Sequence, residues 1–332
     1  MAEARMVPGF EHRPGNNCES TALRNLLWFE GIDVSEPMIF GLGEGLHFIY
    51  WQMKSMDFVF TGGRTKPDLV YRTFASNVEL ELTEHKTASA KQASDRLFQS
   101  LDSGQPMMLR MDALYLDYFD IDIHFPAHYA VAAGYDGESV YLADTHRPGL
   151  QKTSRASLAE ARASTASMGM GRPNHQSVAL HEPGRLTKTR LKQNLRAAIR
   201  RNADAMLTPP IKNIGVKGIA LAGQRIPTWI QKSGYPQKCL QVTADIWERG
   251  GTGGGLFRKM YSAFLAEAGQ LLGQRPIQKA ADSYRSIAQE WTALAALLEQ
   301  TAVTLDQRGL DEVGRRVGLL AKREAEVLST LL

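Results

Sequence analysis

The segment from Ala127 to Asp144 leaves this chain the least freedom. AHYAVAAGY and SVYLAD are short runs of small apolar, β-branched and aromatic residues, and they flank Asp136-Gly137, a dipeptide that favours hairpin turns. The pattern predicts two adjacent antiparallel strands, with His128 at the start of the first and Asp144 at the end of the second. If the loop is Tyr135-Asp136-Gly137, with glycine in the left-handed position of a bulge, Gly134 faces Glu138 and His128 lies directly opposite Asp144. Both side chains then share one face within hydrogen-bonding reach. A strict two-residue loop would set His128 against Thr145 and turn Asp144 to the other side of the sheet. A working His–Asp pair therefore predicts the longer loop.

A second segment supplies a nucleophile. From Cys18 to Glu30 the chain places Ala22, Leu23, Leu26, Leu27 and Phe29 at helical spacing, with Asn16 and Asn17 ahead as caps and Gly31 behind as a stop. Cys18 thus falls in a first helical turn, where unpaired backbone N–H groups and the helix dipole favour a thiolate. An imidazole that takes the thiol proton, and an acid that fixes the imidazole's tautomer, complete the machinery of covalent acyl transfer. Cys18 as nucleophile, His128 as base and Asp144 as orienting acid form such a set, of papain-like type. Taken singly, each has a plainer reading: a small residue at a helix start, and a structural His–Asp pair. Their order and local contexts together favour catalysis.

The remaining pattern gives an α+β chain. At 332 residues it exceeds one ordinary core, so a catalytic domain with an antiparallel sheet is expected over 1–150, an interdomain region rich in Arg, Ser, Ala, Gly and Pro over 151–185, and a mainly α-helical domain over 186–332. Within the first, the glycines of Phe40 to Trp51 predict a shaped loop or bulged strand, Gly62-Gly63 a turn, Lys91 to Leu101 a helix and Gln105 to Arg110 a strand. In the second half Pro209-Pro210 marks a break and Pro276 a helix start. No segment reaches the ~18 consecutive apolar residues of a membrane span, and the N-terminus lacks a secretory pattern, so a soluble cytoplasmic protein with no membrane partner is expected. The cysteines, Cys18 and Cys239, are expected to stay reduced. Neither they nor Asp122, His124 and His146 have metal-ligand spacing, so no metal and no bound cofactor is expected. A net charge of +4 is too small to imply nucleic acid. The long helical C-terminal region raises the expectation of a homodimer.

His12 to Trp51 (HRPGNNCESTALRNLLWFEGIDVSEPMIFGLGEGLHFIYW) resembles the N-terminal domain of the butirosin biosynthesis protein H family, a papain-like fold related to the C39 peptidases. Arg249 to Ala268 (RGGTGGGLFRKMYSAFLAEA) is similar to the C-terminal domain that accompanies it, and FPAHYAVAAGYD to the His-bearing strand of C39-like enzymes. The resemblance implies an acyl donor carried as a thioester on the phosphopantetheine arm of an acyl carrier protein, and a small-molecule amine as acceptor, in secondary-metabolite biosynthesis. Family members often carry His before the nucleophile where this chain has Asn17, whose amide is a candidate oxyanion donor beside the Cys18 N–H. Related peptidases use a Gln a few residues upstream; the nearest equivalents here are His12 and Arg13. Hydrolysis by the same triad, as a cysteine peptidase, amidase or thioesterase, is the competing chemistry. A non-catalytic papain-like binding protein is the competing class.

Three weaker features remain. The run Gly250 to Gly255 ahead of a helix, with Gly253, Gly254 and Arg258, could present N–H groups and a cation to the phosphate of phosphopantetheine, although a tight turn with close backbone packing is the favoured reading. The basic stretch Lys188, Arg190, Lys192, Arg196, Arg200 and Arg201 would suit an acidic carrier protein or simply face solvent. His47, Phe48, Tyr50 and Trp51 would exclude water from a site or belong to a core.

Overall fold

A computed structural model describes residues 3–52, 59–180 and 186–332. In chain order the first part runs β1 (Arg5–Met6), α1 (Cys18–Phe29), α2 (Glu36–Leu42), β2 (Leu46–Trp51), β3 (Phe60–Arg64), α3 (Leu69–Val78), β4 (Leu82–His85), α4 (Ala90–Asp102), β5 (Met107–Met111), β6 (His128–Tyr135), β7 (Ser139–Ala143), β8 (Leu150–Ser154), α5 (Arg155–Ala163) and β9 (Ser177–Leu180). Helices then follow: α6 (Lys188–Gln193), α7 (Leu195–Leu207), α8 (Gly215–Arg225), α9 (Trp229–Lys232), α10 (Pro236–Glu248), α11 (Arg258–Leu272), α12 (Arg275–Thr304) and α13 (Gln307–Ser329). They divide into two compact units, Met1–Ile39 with Lys66–Thr187 and Phe40–Thr65 with Lys188–Leu332.

The first unit is built on an antiparallel sheet in the order β4-β9-β5-β6-β7-β8, with β1 also pairing to β6. Its central strand β6 is buried nearly throughout and reads as a continuous small-apolar run, as a strand covered on both faces should. One face, with Ala130 and Ala132, packs against Leu97 and Leu101 of α4 and Leu158 and Ala161 of α5. On the other, Tyr129 meets Tyr71 of α3 edge to face, and the Tyr71 N–H donates to the buried carboxylate of Glu19 in α1.

The second unit is mainly helical and carries the β2–β3 hairpin. Along α12 the buried residues Ile277, Ala280, Tyr284, Ile287, Trp291, Leu294 and Leu298 recur at helical spacing, and Pro276 sits in its first turn. Trp229, Trp247 and Trp291 are fully buried here, and the Trp247 Nε1–H donates to Thr61 Oγ1 of β3 at 2.8 Å.

Several expectations need correction. Residues 151–185 are not an interdomain region: β8 and α5 extend the first unit, and β9 lies inside its sheet between β4 and β5. The segment looks irregular because its strands are short and β8, at the sheet's end, carries polar side chains outward; positions 181–185 lie outside the described residues. Nor is the boundary near 150 a single cut, since residues 40–65 fold with the helices of the second half. Phe40 to Leu42 complete helix α2 where a loop or strand was expected, because Gly41 packs face to face with the Phe264 ring, which leaves no room for a Cβ. The rest of that stretch is a strand with a bulge between Leu46 and Ile49. Gly62 and Gly63 lie in β3 rather than a turn; a Cβ at Gly63 would stand 2.6 Å from the Leu256 carbonyl.

A fully buried ion pair holds the helical unit. Arg258 Nε and Nη2 each donate to Glu324 at 3.0 Å, and Arg258 Nη1 donates to the carbonyls of His47, Gly63 and Leu256. Trp291 Nε1 also donates to Glu324, at 3.0 Å. Removing one partner of such a pair strands a buried charge, so Glu324→Ala should lower the unfolding free energy by ~3–5 kcal/mol in chemical denaturation. A loss below ~1 kcal/mol would show that the pair is not what holds these helices.

Candidate active site

Cys18 opens α1. Asn17 is the N-cap in extended conformation, its side-chain oxygen accepting the Ser20 N–H at 3.3 Å. The turn ahead of the helix is fixed by a residue not among the expected site residues, Glu36 in the first turn of α2. Its buried carboxylate accepts from the N–H groups of Asn16 (2.9 Å) and Asn17 (2.8 Å) and the hydroxyls of Ser20 (2.9 Å) and Thr21 (3.0 Å). An acid in SEPMIF reads as an ordinary helix-start residue, and its partners lie far off in sequence. With Asn16 and Asn17 so engaged, the Cys18 N–H has no acceptor among the described residues and remains for an incoming oxyanion.

His128 begins β6 and is 5% exposed; Asp144 follows β7 and is 1% exposed. They meet through His128 Nε2 and Asp144 Oδ2 at 2.7 Å, but not by the expected register. The turn spans Asp136 to Ser139, with Tyr135 paired to Val140 and Gly134 to Tyr141. Asp136 stabilises it by accepting the N–H groups of Glu138 (2.8 Å) and Ser139 (2.7 Å), so Gly137 is not the bulge glycine of a three-residue loop. Continued unbroken, that register would set Asp144 against Val131, on the face away from His128. Ala133 is an extra residue in β6, after which Ala132 pairs with Leu142 and Val131 with Ala143. Asp144 then comes level with Ala130, diagonal to His128 and on the same face.

The carboxylate is fully engaged: Oδ2 also accepts from Tyr118 Oη at 2.6 Å and Oδ1 from Thr145 Oγ1 at 2.8 Å. Thr145 itself adopts a left-handed φ of 39°, and its carbonyl accepts the Gly15 N–H at 2.8 Å, tying the acid's turn to the segment that leads into α1. Nε2 is taken by Asp144, and the Cys18 thiol, whose Sγ lies 3.9 Å from the Ala127 carbonyl, stands close enough to His128 to favour its protonated form. Phe119 packs edge-on against the His128 ring at 5.0 Å.

Burial alone would push His128 below its ordinary pKa; the Asp144 charge and hydrogen bond outweigh it, Cys18 adds to them, and the imidazole is raised to about 10. Burial likewise pushes Asp144 up, but His128, Tyr118 and Thr145 bring it down to about 2. The pair is thus a buried imidazolium–carboxylate next to a thiol. Such an arrangement can return a proton to a leaving group.

The remaining candidates fall elsewhere. His12 is not an oxyanion donor: Nδ1 faces Asn25 Oδ1 at 3.3 Å and Nε2 the Arg147 carbonyl at 3.0 Å, so both nitrogens are committed. The side-chain oxygen of Asn17 serves the helix cap. Gly253, Gly254 and Arg258 belong to the helical unit and do not form a phosphate cradle. Arg258 is the buried partner of Glu324, and the Gly255 N–H already donates to the Glu248 carboxylate at 2.8 Å, which Lys259 also contacts. Gly253 to Phe257 all have positive φ, and their role is a tight left-handed turn against buried neighbours. Phe48 and Tyr50 are core, packed on Trp291 and Trp229. The cations of α6 and α7 stand mostly exposed opposite the buried Leu195, Ala198 and Ile199, and Arg201 pairs with Glu44.

Comparison with known proteins assigns both halves. Residues 17–145 match the N-terminal domain of butirosin biosynthesis protein H, and residues 156–331 match a domain of unknown function, DUF4872. No curated protein matches the chain. Among solved structures, one described as a C39-like peptidase from Bacillus anthracis is 18% identical, with a TM-score of 0.40, over 54% of this chain and 98% of that one. Among the described residues no helix is long and apolar enough to cross a membrane.

The electrostatics predict a pH profile. His128, raised in the fold, stays protonated and stabilising through neutral pH and loses its proton as pH rises through about 10, whereas Asp144 loses its contribution only as pH falls through about 2. Asp144→Asn removes the charge that opposes burial, so His128 should titrate at least one unit lower by NMR. Cys18 alkylation at pH 6 should then slow by about tenfold or more. An unchanged His128 titration in this variant would contradict the assignment.

Proposed function

The chain belongs to the butirosin biosynthesis protein H family, and from that premise and the Cys18–His128–Asp144 geometry we propose that it is a cysteine-dependent N-acyltransferase. The acyl donor is a thioester on the phosphopantetheine arm of an acyl carrier protein, the acceptor a small-molecule amine, and the setting secondary-metabolite biosynthesis. The observation that carries the reading is the buried His128–Asp144 pair with the Cys18 thiol, at the start of α1, beside the strand that opens with His128.

The Cys18 thiolate attacks the thioester carbonyl, and the Cys18 N–H, free of other acceptors, faces the developing oxyanion. Collapse breaks the bond to the pantetheine sulfur, which leaves with the proton of His128. The acyl group is now a thioester on Cys18, an exchange close to isoenergetic because one thioester replaces another. His128, now neutral, takes a proton from the attacking amine. The second tetrahedral intermediate expels the Cys18 thiolate, leaving an amide and restoring the ion pair. Asp144 holds the imidazole's orientation throughout, and Tyr118 and Thr145 hold Asp144. The amide product supplies the free energy that makes the second half-reaction effectively irreversible.

Intact-mass analysis after mixing the protein with acyl-pantetheine thioesters tests the first half. An adduct of the acyl mass should form on the native chain and not on Cys18→Ala. The second half is tested by adding candidate amines, which should discharge the adduct faster than water does and yield amides. No adduct across a broad thioester panel would sink the thioester reading, and discharge at one rate with or without amines would make the chain a hydrolase.

A further inference from the structure

Arg147 is an uncommitted cation beside the triad. It lies in the turn that carries Asp144, its N–H donating to the Asp144 carbonyl at 2.9 Å and its own carbonyl accepting from His12 Nε2 at 3.0 Å, so its backbone is held at both polar groups. Its guanidinium stands 4.6 Å from the centroid of Phe119 and 5.2 Å from that of Tyr118. Both rings contact the triad, Phe119 against His128 and Tyr118 through its hydroxyl on Asp144.

The two buried arginines of this unit are spoken for: Arg110 donates to Asp68 and to three carbonyls, and Arg162 to the carbonyls of Ala93 and His175. Arg147 has no hydrogen bond or ion pair to its guanidinium among the described residues. Stacking on aromatic faces holds a guanidinium in place through its plane while leaving the N–H fork at its edge unused, and that fork fits two oxygens of one anion. A long side chain kept rigid in this way, one ring from the catalytic imidazole, has the properties of a receptor for an oxyanion.

We propose that Arg147 determines specificity by binding an anionic group of the acyl substrate and so placing the acyl carbon at Cys18. The inference rests on the acyl-transfer reading for its physiological substrate, but its electrostatic core does not. Two sources share the chemistry, a carboxylate on the acyl group and the phosphate of a pantetheine arm. A purely packing role for Arg147 would affect stability and leave discrimination between charged and neutral reagents unchanged.

The test begins with alkylation, which needs no acyl transfer. Iodoacetate and iodoacetamide attack the same sulfur and differ in one charge. In Arg147→Gln the iodoacetate rate at Cys18 should fall by about tenfold relative to iodoacetamide, the weight of one charge-assisted hydrogen bond, with the iodoacetamide rate unchanged. Arg147→Lys, which keeps the charge and loses the fork, should retain part of the preference. Acylation by butyryl- and succinyl-N-acetylcysteamine and by butyryl-4′-phosphopantetheine, read by intact mass, then identifies the source. Loss of preference in Arg147→Gln for the succinyl thioester points to the acyl carboxylate, and loss for the phosphopantetheine thioester to the phosphate. Equal slowing of all reagents, or an iodoacetate ratio that does not move, overturns the proposal. If alkylation responds but no thioester acylates Cys18, Arg147 stands as an anion receptor and the thioester reading fails.

Discussion

The site depends on keeping a charged imidazole where water does not reach. A lone imidazolium at the start of β6 would shed its proton, and a lone carboxylate after β7 would acquire one, since burial penalises both charged forms. Each is charged because the other is. The cost of desolvating two ions is offset only if every remaining polar position on them is used, which is what Tyr118, Thr145 and the Cys18 thiol accomplish. Around this pair the rest of the first unit is organised: α1 brings the sulfur, Glu36 fixes the turn ahead of it, and the segment between β5 and β6 supplies the rings that close it off.

Much of this was legible because it is local. The α1 periodicity, the cap at Asn17 and the place of Cys18 depend on neighbours within four residues, and the helix begins where the spacing put it. The pairing of β6 with β7 was equally local. Its register was not. A turn that opens with Asp136 can close with two, three or four residues, and the choice here rests on Asp136 accepting two backbone N–H groups. The bulge at Ala133 leaves no mark on a run of alanines.

What stayed hidden was non-local. Glu36 gathers donors from four residues on both sides of the nucleophile, and nothing in its own neighbourhood announces them. The phosphate reading of the glycine run before α11 fails for the same reason, while its tight-turn reading holds: a string of N–H groups looks like an anion site until one finds that Glu248 already takes the Gly255 N–H. Arg258 looked like a phosphate ligand because its partner, Glu324, lies two helices further on. The irregular composition between β7 and the helical half likewise concealed β9, whose partners β4 and β5 are distant in sequence.

The bulge in β6 also bears on how relatives of this chain should be compared. Sixteen residues separate His128 from Asp144, and at that spacing the length of the turn and the bulge decide together which face the acid takes. A residue gained or lost within either strand turns the acid to the opposite face while leaving both residues intact in an alignment, whereas one gained in the turn leaves the pairing as it is. Where along the hairpin a relative differs in length thus bears on its triad as much as whether it keeps the histidine and the aspartate.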